Sequence, residues 1–194
     1  RRICQEEYPY QTDTSEIFTS ISDQPFAAFL DSGRRGREAS DETFLGRFDI
    51  LVYKPETIIT TKGDITVVRA PDGIMEQTGD PFTVVQQLLD KIAPATSIGA
   101  EIPFIGGALG YFAYDLGRRV ETMPCVAKES SSMPDMQIGV YDSALIFDHQ
   151  LKQAYLVGYG YGAALRKRFQ EWRVKLKEKR THERQALQVV EELQ

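Results

Sequence analysis

Histidine and cysteine are scarce in this chain of 194 residues, with two of each. Cys4 and Cys125 lie far apart and outside any CxxC pattern, so reduced thiols are expected rather than a disulfide. His149 and His182 have no Cys or His neighbours at ligand spacing, which excludes a structural zinc site. No stretch approaches eighteen consecutive apolar residues, so no transmembrane helix is expected. The opening residues, Arg1-Arg2-Ile3-Cys4-Gln5-Glu6-Glu7, contain no apolar signal-peptide core, and the expected compartment is the cytoplasm. An initiator Met is missing too, which fits a trimmed or fragmentary chain. Repeats and low-complexity segments are absent.

What is present suits a globular protein. A hydrophobic share of 42% against 26% charged residues is enough for one domain with a real core, and it excludes a disordered or collagen-like chain. The net charge of −5 is unevenly spread. Residues 162–194 carry nine Lys/Arg and five Asp/Glu, whereas the preceding 161 residues are acidic. An acidic body argues against nucleic acid as the main partner. The basic tail reads as a solvated helix surface, with a binding face as the alternative.

Residues 1–24 are polar and weakly patterned. "PFAAFLDSG" (25–33) then predicts a short strand that stops at a turn. The polar stretch 34–46 carries Arg34, Arg35 and Arg37 and reads as a surface loop, with anion capture as the alternative. "RFDILVYKP" (47–55), "TIITT" (57–61) and "ITVVRA" (65–70) are rich in β-branched and aromatic residues and separated by turn signals. They predict an antiparallel meander. "DPFTVVQQLLDKI" (80–92) predicts a helix capped by Asp80, with Pro81 in the first turn. Val84, Val85, Leu88, Leu89 and Ile92 share its packing face, and Pro94 closes it.

Further on, residues 136–150 and 153–160 predict two apolar strands joined as a hairpin around His149-Gln150-Leu151-Lys152. From 162 the chain reads as helix, with Leu165, Phe169, Trp172 and Leu176 in one stripe that resumes at Leu187, Val190 and Leu193. That stripe docks on the body in the commoner reading and lies on a membrane surface in the rarer one. Glu191 and Glu192 oppose the helix dipole, so the end is expected to fray or the natural chain to continue.

The glycine-rich stretch "IPFIGGALGYFAYDLGRRVE" (102–121) invites a phosphate-binding reading, and spacing rejects it. Gly106, Gly107 and Gly110 read GGxxG rather than GxGxxG, and no Gly-Lys-Ser/Thr closes the run. The following residues continue as an aromatic strand, so the glycines are expected to permit close backbone approach within a buried strand. Ser32, Ser97 and Ser143 have no GxSxG elbow. Asp115 and Asp142 are isolated carboxylates in strand-like contexts. From the residues alone the chain is an α+β domain, mainly antiparallel β-sheet with packed helices, without a self-sufficient active site.

Several motifs in order carry a resemblance: "FLDSG" (29–33), "RFDILVYKP" (47–55), "DPFTVVQQLLD" (80–90), the whole of 102–121, and "MPDMQIGVYDSALIFDHQ" (133–150). Together they resemble the N-terminal half of component I of the chorismate-utilising enzymes, over about residues 25–160. Asp115-Leu116-Gly117-Arg118-Arg119 and Val140-Tyr141-Asp142-Ser143-Ala144-Leu145 favour the aminodeoxychorismate synthase branch. The anthranilate synthase branch typically has Leu-Glu-Ser where this chain has Leu30-Asp31-Ser32.

The resemblance implies an α/β sandwich of orthogonal antiparallel sheets built from both halves of a longer polypeptide. Residues 1–194 would be its N-terminal domain, with a compact core over about 25–160 and a helical tail from 162. The chorismate site and its Mg²⁺ would lie in the C-terminal catalytic half, leaving no catalytic or metal-binding residue in this chain. A glutamine amidotransferase subunit would supply ammonia to make 4-amino-4-deoxychorismate for folate synthesis, and this chain alone would be inactive. A truncated sandwich is also expected to expose apolar surface. A stand-alone, non-catalytic interaction module is the competing reading.

The family also has a tryptophan pocket, and the matching positions here are Ser32, Leu45, Gly46, Arg47 and Phe48. A serine at a strand end suits a ligand amino group, and a phenylalanine suits an indole. The plainer readings are a turn-capping hydroxyl for Ser32 and core packing for Phe48.

Overall fold

The computed structural model describes residues 2–33, 46–92, 102–119, 121 and 132–177. Strand β1 (Arg2–Tyr8) and the short helix α1 (Thr14–Thr19) are followed by β2 (Ala28–Leu30) and β3 (Phe48–Val52). Next come β4 (Thr57–Lys62), β5 (Ile65–Ala70), β6 (Gly73–Thr78) and helix α2 (Pro81–Ile92). Strand β7 (Gly107–Phe112) leads into a 3₁₀ helix (Tyr114–Arg119), then β8 (Met136–Tyr141), β9 (Ser143–Asp148), β10 (Gln153–Gly160) and helix α3 (Gly162–Lys177). The strands form two five-stranded sheets, ordered β1-β10-β9-β3-β2 and β6-β5-β4-β8-β7, with antiparallel neighbours throughout.

The expected α+β class, dominated by antiparallel sheet, is the observed one. Four local expectations need correction. The polar opening is not featureless: β1 pairs along its whole length with β10, and α1 packs Ile17 and Phe18 onto the first sheet. The expected meander is broken, because β3 belongs to the first sheet and β4 to the second. The true meander is β4-β5-β6, whose last strand follows the tight turn at Pro71 and Asp72. Residues 136–150 likewise divide at Asp142 into β8 and β9, one in each sheet.

Finally, the aromatic run after Gly110 ends at Phe112, and Asp115 sits in the 3₁₀ helix rather than a strand. Strand β7 is a half-exposed edge strand, not a buried one. Its glycines do serve close approach. A Cβ on Gly110 would lie 2.0 Å from the Gln137 carbonyl oxygen, and one on Gly106 would meet the Tyr159 ring at 2.2 Å.

Other expectations hold. Asp80 caps α2 by accepting from the amides of Phe82 and Thr83, and Val84, Val85 and Leu88 pack on the second sheet. The hairpin at 149–152 joins β9 to β10. Leu165, Phe169 and Trp172 of α3 are buried in the core of the first sheet, with Leu176 packed beside them. Leu187, Val190, Leu193, Pro94, Cys125, His182, Ser97 and Arg34–Arg37 lie outside the described residues. Among the described residues Cys4 is a free, exposed thiol, and no helix is long and apolar enough to cross a membrane.

The chain changes sheet at Tyr53-Lys54-Pro55 and again at Asp142, and one side chain grips both places. Arg168 of α3, only 8% exposed, donates through Nη2 to the carbonyls of Tyr53 (2.5 Å) and Lys54 (3.0 Å). Its Nε reaches Asp142 Oδ1 (3.2 Å) and Ser143 Oγ (3.1 Å), and its guanidinium lies 4.5 Å from the centre of the Tyr53 ring. Trp172, fully buried, donates from Nε1 to the same Ser143 hydroxyl (3.0 Å) and meets Tyr53 edge-on. A helix stripe thus supplies both the apolar cover and the polar clasp for the double crossover.

Candidate functional site

The residues expected to form a ligand pocket flank residues 34–45, which include Leu45 and lie outside the described set. The structure brings the others together at one end of the first sheet. Strand β2 ends at Leu30, paired with Ile50 of β3. The turn signal is real: Asp31 Oδ1 accepts the Gly33 amide at 2.8 Å. Where the chain returns, Gly46 has φ 111°, and a Cβ on it would sit 2.8 Å from the Ser32 carbonyl oxygen. Only glycine admits this contact, because a side chain would strike backbone and the dihedral disfavours any L residue.

Beyond Leu30 the sheet ladder gives way to a side chain. The Ser32 amide donates to Asp49 Oδ1 at 2.8 Å. Asp49 is 3% exposed, and its other oxygen accepts from the Thr14 hydroxyl and from His149 Nε2 (2.9 Å). Tyr10 closes the chain of contacts with its hydroxyl 3.0 Å from His149 Nδ1. Burial works to raise the Asp49 carboxyl, but the Thr14 hydroxyl, the Ser32 amide, the His149 ring and the Ser32 hydroxyl outweigh it and hold it below its ordinary value. Asp49 is therefore an anion, and His149 Nε2 carries a proton towards it.

A second acid–base pair stands alongside. Arg47 donates from Nε (3.0 Å) and Nη2 (2.6 Å) to Asp148 Oδ2, and Asp148 Oδ1 accepts the amides of Gln150 and Leu151. Burial pushes the Asp148 carboxyl up, and Arg47 with the two amides brings it below its usual value. The Arg47 guanidinium also lies 4.5 Å from the centre of the Phe48 ring. His149 donates its backbone N–H to the Arg47 carbonyl at 2.9 Å, which ties this pair to the Asp49 cluster.

Strand alternation separates the two sides. Asp49 shares a face with Leu51, in the core under α1 and α3, whereas Phe48 packs with Ile50 and Val52 on the opposite face. The Ser32 Oγ atom is buried beside the Asp49 carboxylate and helps to hold that carboxyl down, but at a geometry short of a full hydrogen bond. Such an atom is costly unless something completes it.

Sequence reasoning missed Tyr10, Thr14, Asp49, Asp148 and His149. A signal for Asp49 was present, since it stands at the buried parity of an otherwise apolar strand, where an acid must find partners. Nothing local announced that Tyr10 and Thr14 would be those partners' neighbours. Among the described residues no group of three or more His, Cys, Asp or Glu side chains is placed to hold a metal ion.

Comparison with known proteins places these features. A family model described as chorismate binding enzyme matches residues 27–193. The chain is 39% identical over 152 residues to aminodeoxychorismate synthase component 1 of Klebsiella aerogenes, a match covering 78% of this chain and 32% of that protein. It is 30% identical over 125 residues to anthranilate synthase alpha subunit 2, chloroplastic, of Arabidopsis thaliana, covering 61% of this chain and 20% of that one. Among solved structures, anthranilate synthase component I from Streptococcus pneumoniae TIGR4 has a TM-score of 0.56 at 22% identity, over 76% of this chain and 36% of that chain. That likeness shows the fold. The chain spans between about a fifth and a third of the length of the curated relatives it matches.

Proposed function

The chain belongs to the family of chorismate binding enzymes, and from that membership we propose that it is the N-terminal region of an aminodeoxychorismate synthase component I. The observation that carries this reading is the 39% identity over 152 residues to the Klebsiella aerogenes component 1, against 30% over 125 residues for the plant anthranilate synthase. In the proposal the parent enzyme is a cytoplasmic transferase. It replaces the 4-hydroxyl of chorismate with ammonia, giving 4-amino-4-deoxychorismate for 4-aminobenzoate and folate synthesis. A glutamine amidotransferase subunit supplies the ammonia. Mg²⁺ and the residues that act on chorismate belong to the downstream half of the polypeptide.

The part assigned to these 194 residues is scaffold and ligand holding. Ser32, Gly46, Arg47 and Phe48 are proposed to line a pocket for tryptophan. The Ser32 hydroxyl, turned towards Asp49, keeps acceptor lone pairs for the ligand's amino group, and the Phe48 ring offers an apolar face to the indole. Gly46 keeps the two chain segments close enough to share one ligand.

An assay with chorismate, ammonia and Mg²⁺ tests the proposal. The chain alone is expected to give no turnover, and adding the downstream two-thirds of the Klebsiella component 1 is expected to restore formation of 4-amino-4-deoxychorismate. Turnover by the chain alone contradicts the assignment. Anthranilate as the restored product would move the chain to the other branch.

A further inference from the structure

Asp49 and His149 have no place in the pocket proposed above, yet they are among the most deeply buried charged and ionisable groups described, 3% and 7% exposed. Their connections run in one direction. Tyr10 precedes α1, Thr14 begins it, and both close on the Asp49–His149 pair from the N-terminal side. On the other side the pair holds the Ser32 amide through Asp49 and the Arg47 carbonyl through the His149 backbone. Both flanks of the pocket therefore hang from one buried carboxylate–imidazole unit.

We propose that Asp49, backed by His149, is the positioning residue of the Ser32 subsite and couples that subsite to the N-terminal segment at Tyr10 and Thr14. One Asp49 oxygen replaces the missing ladder partner of Ser32, so the end of β2 is fixed by a side chain rather than by a neighbouring strand. The second oxygen is saturated by Thr14 and His149, which stops the carboxylate from rotating away. Tyr10 in turn fixes the imidazole, and the edge-on packing of its ring (5.8 Å between centroids) limits the motion of both. The inference rests on the tryptophan reading only for what the positioned hydroxyl then holds.

The test uses the whole chain, labelled with ¹⁵N, and three forms: the natural sequence, Asp49→Asn and Tyr10→Phe. Amide exchange at Ser32 is compared with exchange at Leu145, a core residue of β9 paired on both sides. Asp49→Asn is expected to speed Ser32 exchange by about tenfold, the cost of a charge-assisted hydrogen bond, with Leu145 unchanged. Tyr10→Phe removes one oxygen from a residue 22 positions away in sequence. It is expected to shift the Ser32 amide resonance and speed its exchange by about threefold, a movement that packing alone does not explain.

Unchanged Ser32 exchange in both variants overturns the proposal, and so does equal acceleration at Leu145, which would mark general loosening. If Asp49→Asn fails to fold, Tyr10→Phe decides. Titration with L-tryptophan separates the two ideas. Responsive Ser32 exchange without tryptophan binding sinks the ligand reading and leaves the positioning role standing. Tryptophan binding that Asp49→Asn does not weaken leaves the ligand reading and overturns the positioning role.

Discussion

Two buried charged clusters tie this molecule together, and they are finished to different degrees. At the double crossover, Arg168 meets two carbonyls, two carboxylates and a hydroxyl, and Ser143 serves Arg168 and Trp172 at once. At the end of β2, Asp49 and His149 are equally well partnered, but the Ser32 hydroxyl they stand beside falls short of a full hydrogen bond. A cluster that satisfies every group explains itself as structure. One that fixes a neighbouring polar atom and leaves its bonding incomplete is where the ligand is proposed to sit. Both use a buried ion, so burial and charge do not distinguish them; the leftover valence does.

Perturbations should separate the two clusters by size and by kind. The largest effect belongs to Trp172→Ala, which empties a fully buried site between α3 and Tyr53 and is expected to cost about 4 kcal/mol in urea unfolding. Arg168→Met keeps much of the volume but strands Asp142 and the Tyr53 and Lys54 carbonyls, for an expected loss of about 3 kcal/mol. Neither change should alter the Ser32 amide resonance relative to its neighbours. If Arg168→Met is as stable as the natural chain, the crossover does not need its clasp.

Asp49→Asn should show itself through pH. Asp49 and Asp148 titrate below their ordinary values in the folded chain. Their stabilisation is thus complete above the unfolded carboxylate value near about pH 4 and is lost as pH falls through the lower folded values. Removing the Asp49 charge should lower stability at neutral pH and flatten the acid limb of the stability curve. An unchanged acid limb in Asp49→Asn would show that the carboxylate is not held as an anion.

The smallest effect lies at alkaline pH. The Tyr141 hydroxyl donates to the Phe26 carbonyl (2.7 Å), just upstream of β2, and burial pushes its phenol up to about 12. The folded chain therefore holds that proton more tightly than the unfolded one, and the associated stability is lost as pH rises from about 10 to about 12. Tyr141→Phe should flatten stability across this window in spectroscopic unfolding, with little change at pH 7 beyond one lost hydrogen bond.

The sequence carried more of the crossover than of the pocket. Leu165, Phe169 and Trp172 recur at helical spacing, so the buried stripe of α3 could be read directly. That Arg168, inside the same stripe, faces inward was hidden, because its partners are backbone carbonyls more than a hundred residues away. The breaks at Lys54 and Asp142 escaped for a related reason: strand propensity runs straight through a change of sheet, and tertiary packing alone decides where the chain turns. At the pocket, Ser32, Gly46, Arg47 and Phe48 were found by resemblance, and their convergence depends on pairing between β2 and β3. Tyr10 and Thr14 come from a segment with little periodicity, and only the fold brings them to Asp49.

The account is tested most directly by following the backbone amides of the whole chain by NMR during titration with L-tryptophan. The expected result is saturable shifts at Ser32, Gly46, Arg47 and Phe48, with Ser143, Arg168 and Trp172 unmoved. Shifts centred on Arg168 and Ser143, or no saturable shift at the Ser32 end of the sheet, would contradict it.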